Sequence, residues 1–248
     1  MIDVHAHILP GVDDGSPSLE DSLEMARLAV ESGVEAIVVT PHCNLPDEPC
    51  IAAQQLRPRL DALTAALEAE AIPLRLYPGM EIFGTEHTAA RLRSGELCPL
   101  AASRYPLIEF PFTGFAGEAT DILRSVLRIG LRPIIAHPER YRYTQSDPQL
   151  LNRWAEMGCL MQVNRGSLLG RFGSHAEALA HSLVGRRFAS FVASDAHSPS
   201  VRTPWMCDVQ TLLREEYSRN TAWLLLEQNP RCVLCDMELE TDEPIWFD

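Results

Sequence analysis

Residues 1–15 read Met1-Ile2-Asp3-Val4-His5-Ala6-His7-Ile8-Leu9-Pro10-Gly11-Val12-Asp13-Asp14-Gly15. An apolar, β-branched run from Ile2 to Ile8 predicts a strand that begins almost at the first residue. Alternation along it places His5 and His7 on one face and Val4, Ala6 and Ile8 on the other. A turn-rich loop with Asp13 and Asp14 follows. The stretch therefore describes a buried strand that delivers two imidazoles and at least one carboxylate to its carboxyl end.

The same pattern recurs along the chain. Further strands are expected at 34–40, 74–82, 105–110, 132–136, 159–163 and 188–193. Helical spacing separates them. Ser18 and Asp21 form a capping pair before Leu19, Leu23, Ala26 and Val30. Leu56, Leu60, Leu63 and Leu67 mark the next helix, and 119–129, 150–157, 175–184 and 205–217 supply the others. This β/α alternation predicts one α/β domain over 1–248, a (β/α)7 parallel barrel ahead of an open doubly wound sheet. Either architecture puts chemistry at the carboxyl ends of the strands.

Those ends carry a consistent set of side chains. After His5 and His7 come Thr40-Pro41-His42, then Gly79-Met80-Glu81, Ile108-Glu109-Phe110, Ala136-His137-Pro138 and Ser194-Asp195-Ala196-His197. One such residue would be a satisfied core group. So many gathered on one rim would be costly as unpaired buried polar groups, and divalent cations remove that cost. The donors exceed the need of one ion, so two or three are expected. Mixed imidazole and carboxylate ligation suits manganese, iron, zinc or cobalt.

Composition bounds the alternatives. The 248 residues include 34 acidic and 21 basic side chains, for a formal charge of −13. That balance argues against general nucleic-acid binding. No apolar run approaches a membrane span, and the amino terminus does not read as a signal peptide. The cysteines show no disulfide framework, so a reduced, cytoplasmic protein is expected. Cys232 and Cys235 form a lone C-x-x-C, read as structural. Cys98 to Arg104 and Cys159 to Arg165 match the C-x5-R spacing of cysteine phosphatases but lack loop glycines. The acidic stretch 235–248 reads as a solvated tail.

The segments DVHAHILPGVDDG, TPHCN, YPGMEI, LIEFP, IIAHPERY, QVNRGSLLGRFG and ASDAHS together resemble the polymerase and histidinol phosphatase (PHP) superfamily. They are most similar to its bacterial protein-tyrosine phosphatases of capsule and exopolysaccharide operons, the CpsB/CapC/YwqE type. The resemblance spans residues 2 to about 202. It implies a distorted (β/α)7 TIM-like barrel, the PHP fold, with a trinuclear metal site, manganese being the first choice of ion. One ion would take His5, His7, Glu81 and Asp195. A second would share Glu81 and take Glu109 and His137. A third would take Asp14, His42 and His197, with Asp13 competing for the place of Asp14. Arg140 and Arg202 would clamp phosphate, whereas Arg165 is ambiguous. The implied activity is phosphotyrosine hydrolysis by metal-activated hydroxide. The implied substrate is the tyrosine-rich tail of a polysaccharide autokinase, with an oligomer left open. The rivals are a small-molecule phosphatase, such as one for histidinol phosphate, and a metal-binding regulatory barrel without turnover.

Overall fold

In the computed structural model, residues 1–45, 51–239 and 243–248 are described. The chain folds into parallel β-structure with helices between strands. The strands are β1 (Ile2–Ala6), β2 (Ala36–Val39), β3 (His42–Cys43), β4 (Arg75–Tyr77), β5 (Glu81–Phe83), β6 (Leu107–Glu109), β7 (Ile134–Ala136), β8 (Leu160–Asn164) and β9 (Ala189–Ala193). They form a three-stranded sheet, β1-β2-β4, and a six-stranded sheet, β3-β5-β6-β7-β8-β9. An isolated parallel bridge, Ala6 to Ala196, links the end of β1 to the turn after β9.

One expected strand is split in two, another is followed by a short extra strand, and prolines mark both steps. The run at 74–82 breaks at Pro78-Gly79 into β4 and β5, and the run at 34–40 holds β2 alone, with β3 following Pro41. Proline has no N–H for a ladder. At this step the chain moves from the first sheet to the second, and Pro41 still accepts a hydrogen bond from Glu81 N at 3.2 Å. Gly79 allows the close approach: a Cβ there would lie 2.7 Å from Val38 Cγ1. In the second sheet His42 pairs in register with Glu81, and Phe83 with Glu109.

Alternate strand residues divide into two buried clusters, the period expected of a pleated strand. Ile37, Val39, Ile108, Ile135, Met161, Val163 and Val192 pack with the helices. Val38, Leu107, Ala136, Leu160 and Phe191 join a second cluster that includes Cys232 and Val233. The first strand departs from simple alternation. Val4 belongs to the second cluster while Ala6 and Ile8 belong to the first. The register shift between Asp3 and Ala6 is where the faces exchange.

The helix Leu19–Glu31 starts where its cap requires, with Ser18 Oγ accepting from Asp21 N at 3.1 Å. Its buried face is Ser22, Met25, Ala26 and Ala29, and Leu19 is exposed, so the stripe lies one step from the expected one. The helix Ala53–Ala69 buries Leu56, Leu60, Leu63 and Leu67 as the spacing demands. The segment 207–217 begins as α-helix and ends as a π-helical turn over Leu213–Tyr217.

The carboxyl terminus is not a free tail. Residues 240–242 lie outside the described residues. Beyond them Ile245 N donates to Arg186 O at 2.8 Å, and Phe247 N donates to Asn152 Oδ1 at 3.0 Å. Phe188 packs against the rings of Trp246 and Phe247. Trp246 stays exposed while Phe247 is partly buried, so ring contacts and backbone hydrogen bonds, not full burial, hold this end in place. Among the described residues, no helix is long and apolar enough to cross a membrane.

The loop after β1 folds back on the strand through Ser16 N to His7 O at 3.0 Å. Gly15 makes this possible, since a Cβ there would lie 2.3 Å from His7 O and 2.4 Å from His7 Cβ. Gly15→Ala is therefore expected to destabilise the fold by about 1–3 kcal/mol and to displace His7. Thermal denaturation together with metal content of the purified variant checks this.

Candidate metal centre

The expected ligands other than Asp14 sit near strand ends, Asp14 comes from the loop after β1, and one carboxylate lies at the centre. Glu81 is buried at the start of β5. Its Oε2 is 3.2 Å from His5 Nε2, 3.1 Å from His7 Nε2 and 3.1 Å from His42 Nδ1. Its Oε1 is 2.9 Å from His137 Nε2. Asp195 Oδ1 lies 3.5 Å from His5 Nε2 and 3.6 Å from His7 Nε2. Backbone hydrogen bonds bring the two ends together, from Asp195 N to His5 O and from His7 N to Ala196 O.

Three groups have donor atoms close enough to share an ion: His5, His7, Glu81 and Asp195; His42, Glu81 and Glu109; and His7, Asp14, His42 and His197. The first is the set expected from the sequence. The others differ in detail. His42 stands with Glu81 and Glu109, its Nδ1 3.1 Å from Glu109 Oε1. His137 reaches the middle group only through Glu81. His7 joins the third group, where Asp14 Oδ1 is 3.4 Å from both His42 Nε2 and His197 Nε2.

The residues present fit a metal cluster. Glu81 Oε2, Asp195 Oδ1, His42 Nδ1, His137 Nδ1 and His197 Nε2 are buried without hydrogen-bond partners. Such atoms are costly unless something positive completes them. His5 Nε2 and His7 Nε2 face each other at 3.2 Å. Two lone pairs at that distance need either a proton or a shared cation between them.

A second layer fixes which nitrogen points inward. Asn164 Nδ2 donates to Asp195 Oδ2 at 2.6 Å, and Gln162 Nε2 donates to Asn164 Oδ1 at 2.8 Å. Gln162 therefore presents Oε1 to His5 Nδ1, 2.9 Å away. His5 must donate there, which leaves Nε2 as the free donor atom. Asp13 Oδ2 does the same for His7, 2.7 Å from its Nδ1, while also accepting from His42 N at 2.9 Å. The adjacent aspartates thus divide the work. Asp13 is a buried support, and Asp14, two-thirds exposed, stands at the mouth. Gln162 lies in an expected strand and Asn164 just past it, and amide side chains carry no ligand signature in sequence; Asp13 stood out only as a competitor for the place of Asp14.

Electrostatics follow from these neighbours. Burial pulls the His5 and His7 imidazoles down, yet Glu81 and Asp195 beside His5, and Asp13 and Glu81 beside His7, raise both above the ordinary value. For His42, burial is outweighed by Glu109 and Glu81, and its pKa rises to about 9. Burial favours protonation of Glu81 and Asp195. The imidazoles around Glu81, and His5 and Arg202 beside Asp195, overcome this and hold both carboxyls well below the usual range. His197 and Asp14 give opposite accounts of their contact. The His197 imidazole lowers the Asp14 pKa, but burial takes His197 itself down. Near neutral pH, Asp14 thus meets a charged His42 and a neutral His197.

Both expected arginines reach the far side of Asp195. Arg140 Nη1 is 3.3 Å from Asp195 Oδ2, and Arg202 pairs with the same oxygen. Arg165 does not: it is buried against Asp208, Nε to Oδ1 2.7 Å. The C-x5-R matches also fail as sites. Burial pushes the Cys159 thiol up to about 12 and raises Cys98, so neither is a ready thiolate. Arg104 is engaged by Asp236. Cys232 is buried in the second cluster and Cys235 is exposed.

Residues 1–235 match the family model described as capsular polysaccharide synthesis, CpsB/CapC. The chain belongs to the CpsB/CapC family. The tyrosine-protein phosphatase YwqE of Bacillus subtilis is 37% identical over 230 residues, covering 92% of this chain and 89% of YwqE. The tyrosine-protein phosphatase CpsB of Streptococcus pneumoniae is 30% identical over 246 residues, covering 95% and 99%. A solved structure from a study of YwqE and CpsB, described as unique metal-dependent tyrosine phosphatases, superposes with a TM-score of 0.94 over all of both chains at 34% identity.

Two outcomes test the geometry of this CpsB/CapC-family site. Gln162→Leu is expected to weaken manganese binding about 10- to 100-fold by freeing the His5 ring, measured by calorimetric titration. Manganese binding at pH 7 is also expected to release protons, because His42 is protonated below about 9 in the ion-free site. The raised pKa stabilises the ion-free fold fully below the ordinary 6.5, and that contribution fades as pH climbs through about 9. Apparent metal affinity therefore rises with pH across this window while ion-free stability falls. Titrations in buffers of different ionisation enthalpy read the proton count.

Proposed function

We propose that this chain is a metal-dependent protein-tyrosine phosphatase acting in capsular or exopolysaccharide synthesis. The observation that carries the reading is the convergence of imidazoles and carboxylates on Glu81, with Arg140 and Arg202 meeting on the adjacent Asp195. Two or three divalent ions, manganese first, would be held. His5, His7, Glu81 and Asp195 would take one. His42, Glu81 and Glu109, with His137 steadied by Glu81, would take the next. His7, Asp14, His42 and His197 would take the third. Such ions supply Lewis acidity, making water a nucleophile near neutral pH and drawing charge from phosphoryl oxygens.

The chain's own residues do the remaining work. Gln162 and Asp13 aim His5 and His7. Arg140 and Arg202 offer planar forks to the equatorial phosphoryl oxygens, where charge accumulates during transfer. A tyrosyl leaving group has a pKa of about 10 and needs little proton assistance. The family supports a phosphotyrosine protein as substrate, and we take it to be the tyrosine-rich tail of a polysaccharide autokinase. We place the enzyme in the cytoplasm, without nucleic-acid binding or membrane insertion. The two sheets, stepping at Pro41 and Pro78, would act as one distorted (β/α)7 barrel in a single domain over 1–248.

Manganese-loaded protein is expected to hydrolyse phosphotyrosyl peptides in preference to histidinol phosphate and to lose activity in EDTA. His5→Ala and Asp195→Ala should reduce turnover to background and lower bound metal. Arg202→Ala should lower kcat/KM by about a hundredfold with manganese retained. Undiminished activity after chelation, or turnover confined to histidinol phosphate, would overturn the proposal.

A further inference from the structure

Beside the cluster lies a cavity of about 200 Å³ lined by Phe112, Arg140, Gln145, Phe172 and Ala176. The Arg140 guanidinium carbon sits 4.5 Å from the Phe112 ring centre and 4.2 Å from that of Phe172. Two rings thus hold one fork by cation–π contact while its Nη1 reaches Asp195. The rings differ in their backing. Phe172 presses on Gly166, where a Cβ would lie 2.7 Å from the ring. Phe112 is 43% exposed, its ring centre 5.9 Å from that of His137. Its backbone is fixed by Arg142 N, which donates to Phe112 O at 2.9 Å just after Arg140.

The exposed part of the Phe112 side chain, next to a charged cluster, is surface that a flat apolar group would take out of water. An apolar cavity of about 150 Å³ already admits benzene, so this one has room for a phenyl ring. Its polar wall, Arg140, also touches Asp195, so a ring in the cavity would sit within reach of a phosphoryl group at the cluster.

We propose that this cavity is the ring-binding subsite for an aryl phosphate ester, and that Phe112 is the residue that makes the site prefer aryl over alkyl esters. The inference rests on the phosphatase reading and names the part of its substrate that Phe112 would recognise. Phe112 and Phe172 wall the ring, and Arg140, held between them, turns its fork to the phosphoryl oxygens. An alkyl ester has no face to stack and gains only the shared phosphate contacts.

The test uses two non-hydrolysable probes, benzylphosphonate and methylphosphonate, titrated calorimetrically into manganese-loaded full-length protein. The wild-type chain is expected to bind the benzyl compound about tenfold more tightly. Phe112→Ala should erase that ratio and Phe112→Tyr, which keeps the ring, should preserve it. An equal loss for both probes in Phe112→Ala would overturn the proposal, because Phe112 would then only brace Arg140. A wild-type ratio near one would overturn it as well. Hydrolysis of phosphotyrosyl peptides by the wild-type enzyme is measured alongside. A ring preference that depends on Phe112, in protein that hydrolyses no such peptide, would sink the proposed function and leave the aryl subsite standing.

Discussion

Glu81 is a fully buried carboxylate with imidazole nitrogens of His5, His7, His42 and His137 all within 3.2 Å. A lone carboxylate at such a position would be expelled or protonated. Four imidazoles change the balance, but they cannot all be charged at that spacing without repelling one another. The arrangement is therefore frustrated without further cations and satisfied with them. Much of the surrounding architecture follows from that constraint. The proline steps bring β3 and β5 into register so that His42 lies opposite Glu81. Asp13 and Gln162 take up the outward nitrogens of His7 and His5, so that the inward nitrogens stay available.

The backbone shows where the fold bends to meet this demand. His137 has φ 33° and Asp195 has φ 52°, both in the left-handed region that side chains other than glycine seldom occupy. Such residues cost about 1–3 kcal/mol each and persist where the surroundings over-determine them. Both follow a β-strand directly or closely. Both turn a ligand-type side chain back over the strand end instead of letting the chain run on. Tyr141 steadies the first bend, its hydroxyl donating to Ala136 O at 2.7 Å and accepting from Phe110 N at 3.0 Å. Asp3 steadies the second by accepting from Ser194 N at 3.1 Å.

How much of this was readable in the sequence depends on the kind of signal. Strand cores such as Ile134–Ala136 and Ala189–Ala193 are apolar runs bounded by turn residues, and they fall where the pattern places them. The steps at Pro41 and Pro78 were written in the sequence, yet a proline in an apolar run does not say whether the strand bends or changes sheet. His5, His7, Glu81 and Asp195 were legible because each is a ligand-type residue ending an apolar run. The partition of the other ligands was not. Whether Glu109 faces His137 or His42 depends on ring placement across β3, β5, β6 and β7, which spacing does not encode. The choice between Asp13 and Asp14 turned on a loop closing over Gly15. The docking of 243–248 was hidden because acidic residues dominate the composition while Ile245, Trp246 and Phe247 supply the contacts.

Asp195 joins the two halves of the proposed chemistry. Its Oδ1 faces His5 and His7, whereas its Oδ2 takes Asn164, Arg140 and Arg202. One carboxylate thus faces the imidazoles with one oxygen and tethers both guanidinium groups with the other. Charge on either side is felt by the other through a single buried group of low effective dielectric. In the proposed chemistry, a cation beside Oδ1 would withdraw electron density from Asp195 and loosen its hold on the arginines. Arg140 and Arg202 would then be freer to turn to an anionic ester. On that reading the two aromatic rings around Arg140 would keep its fork pointed at the cluster once the carboxylate let go. Cation–π contact does this without competing for the hydrogen bonds that an incoming phosphoryl group must make.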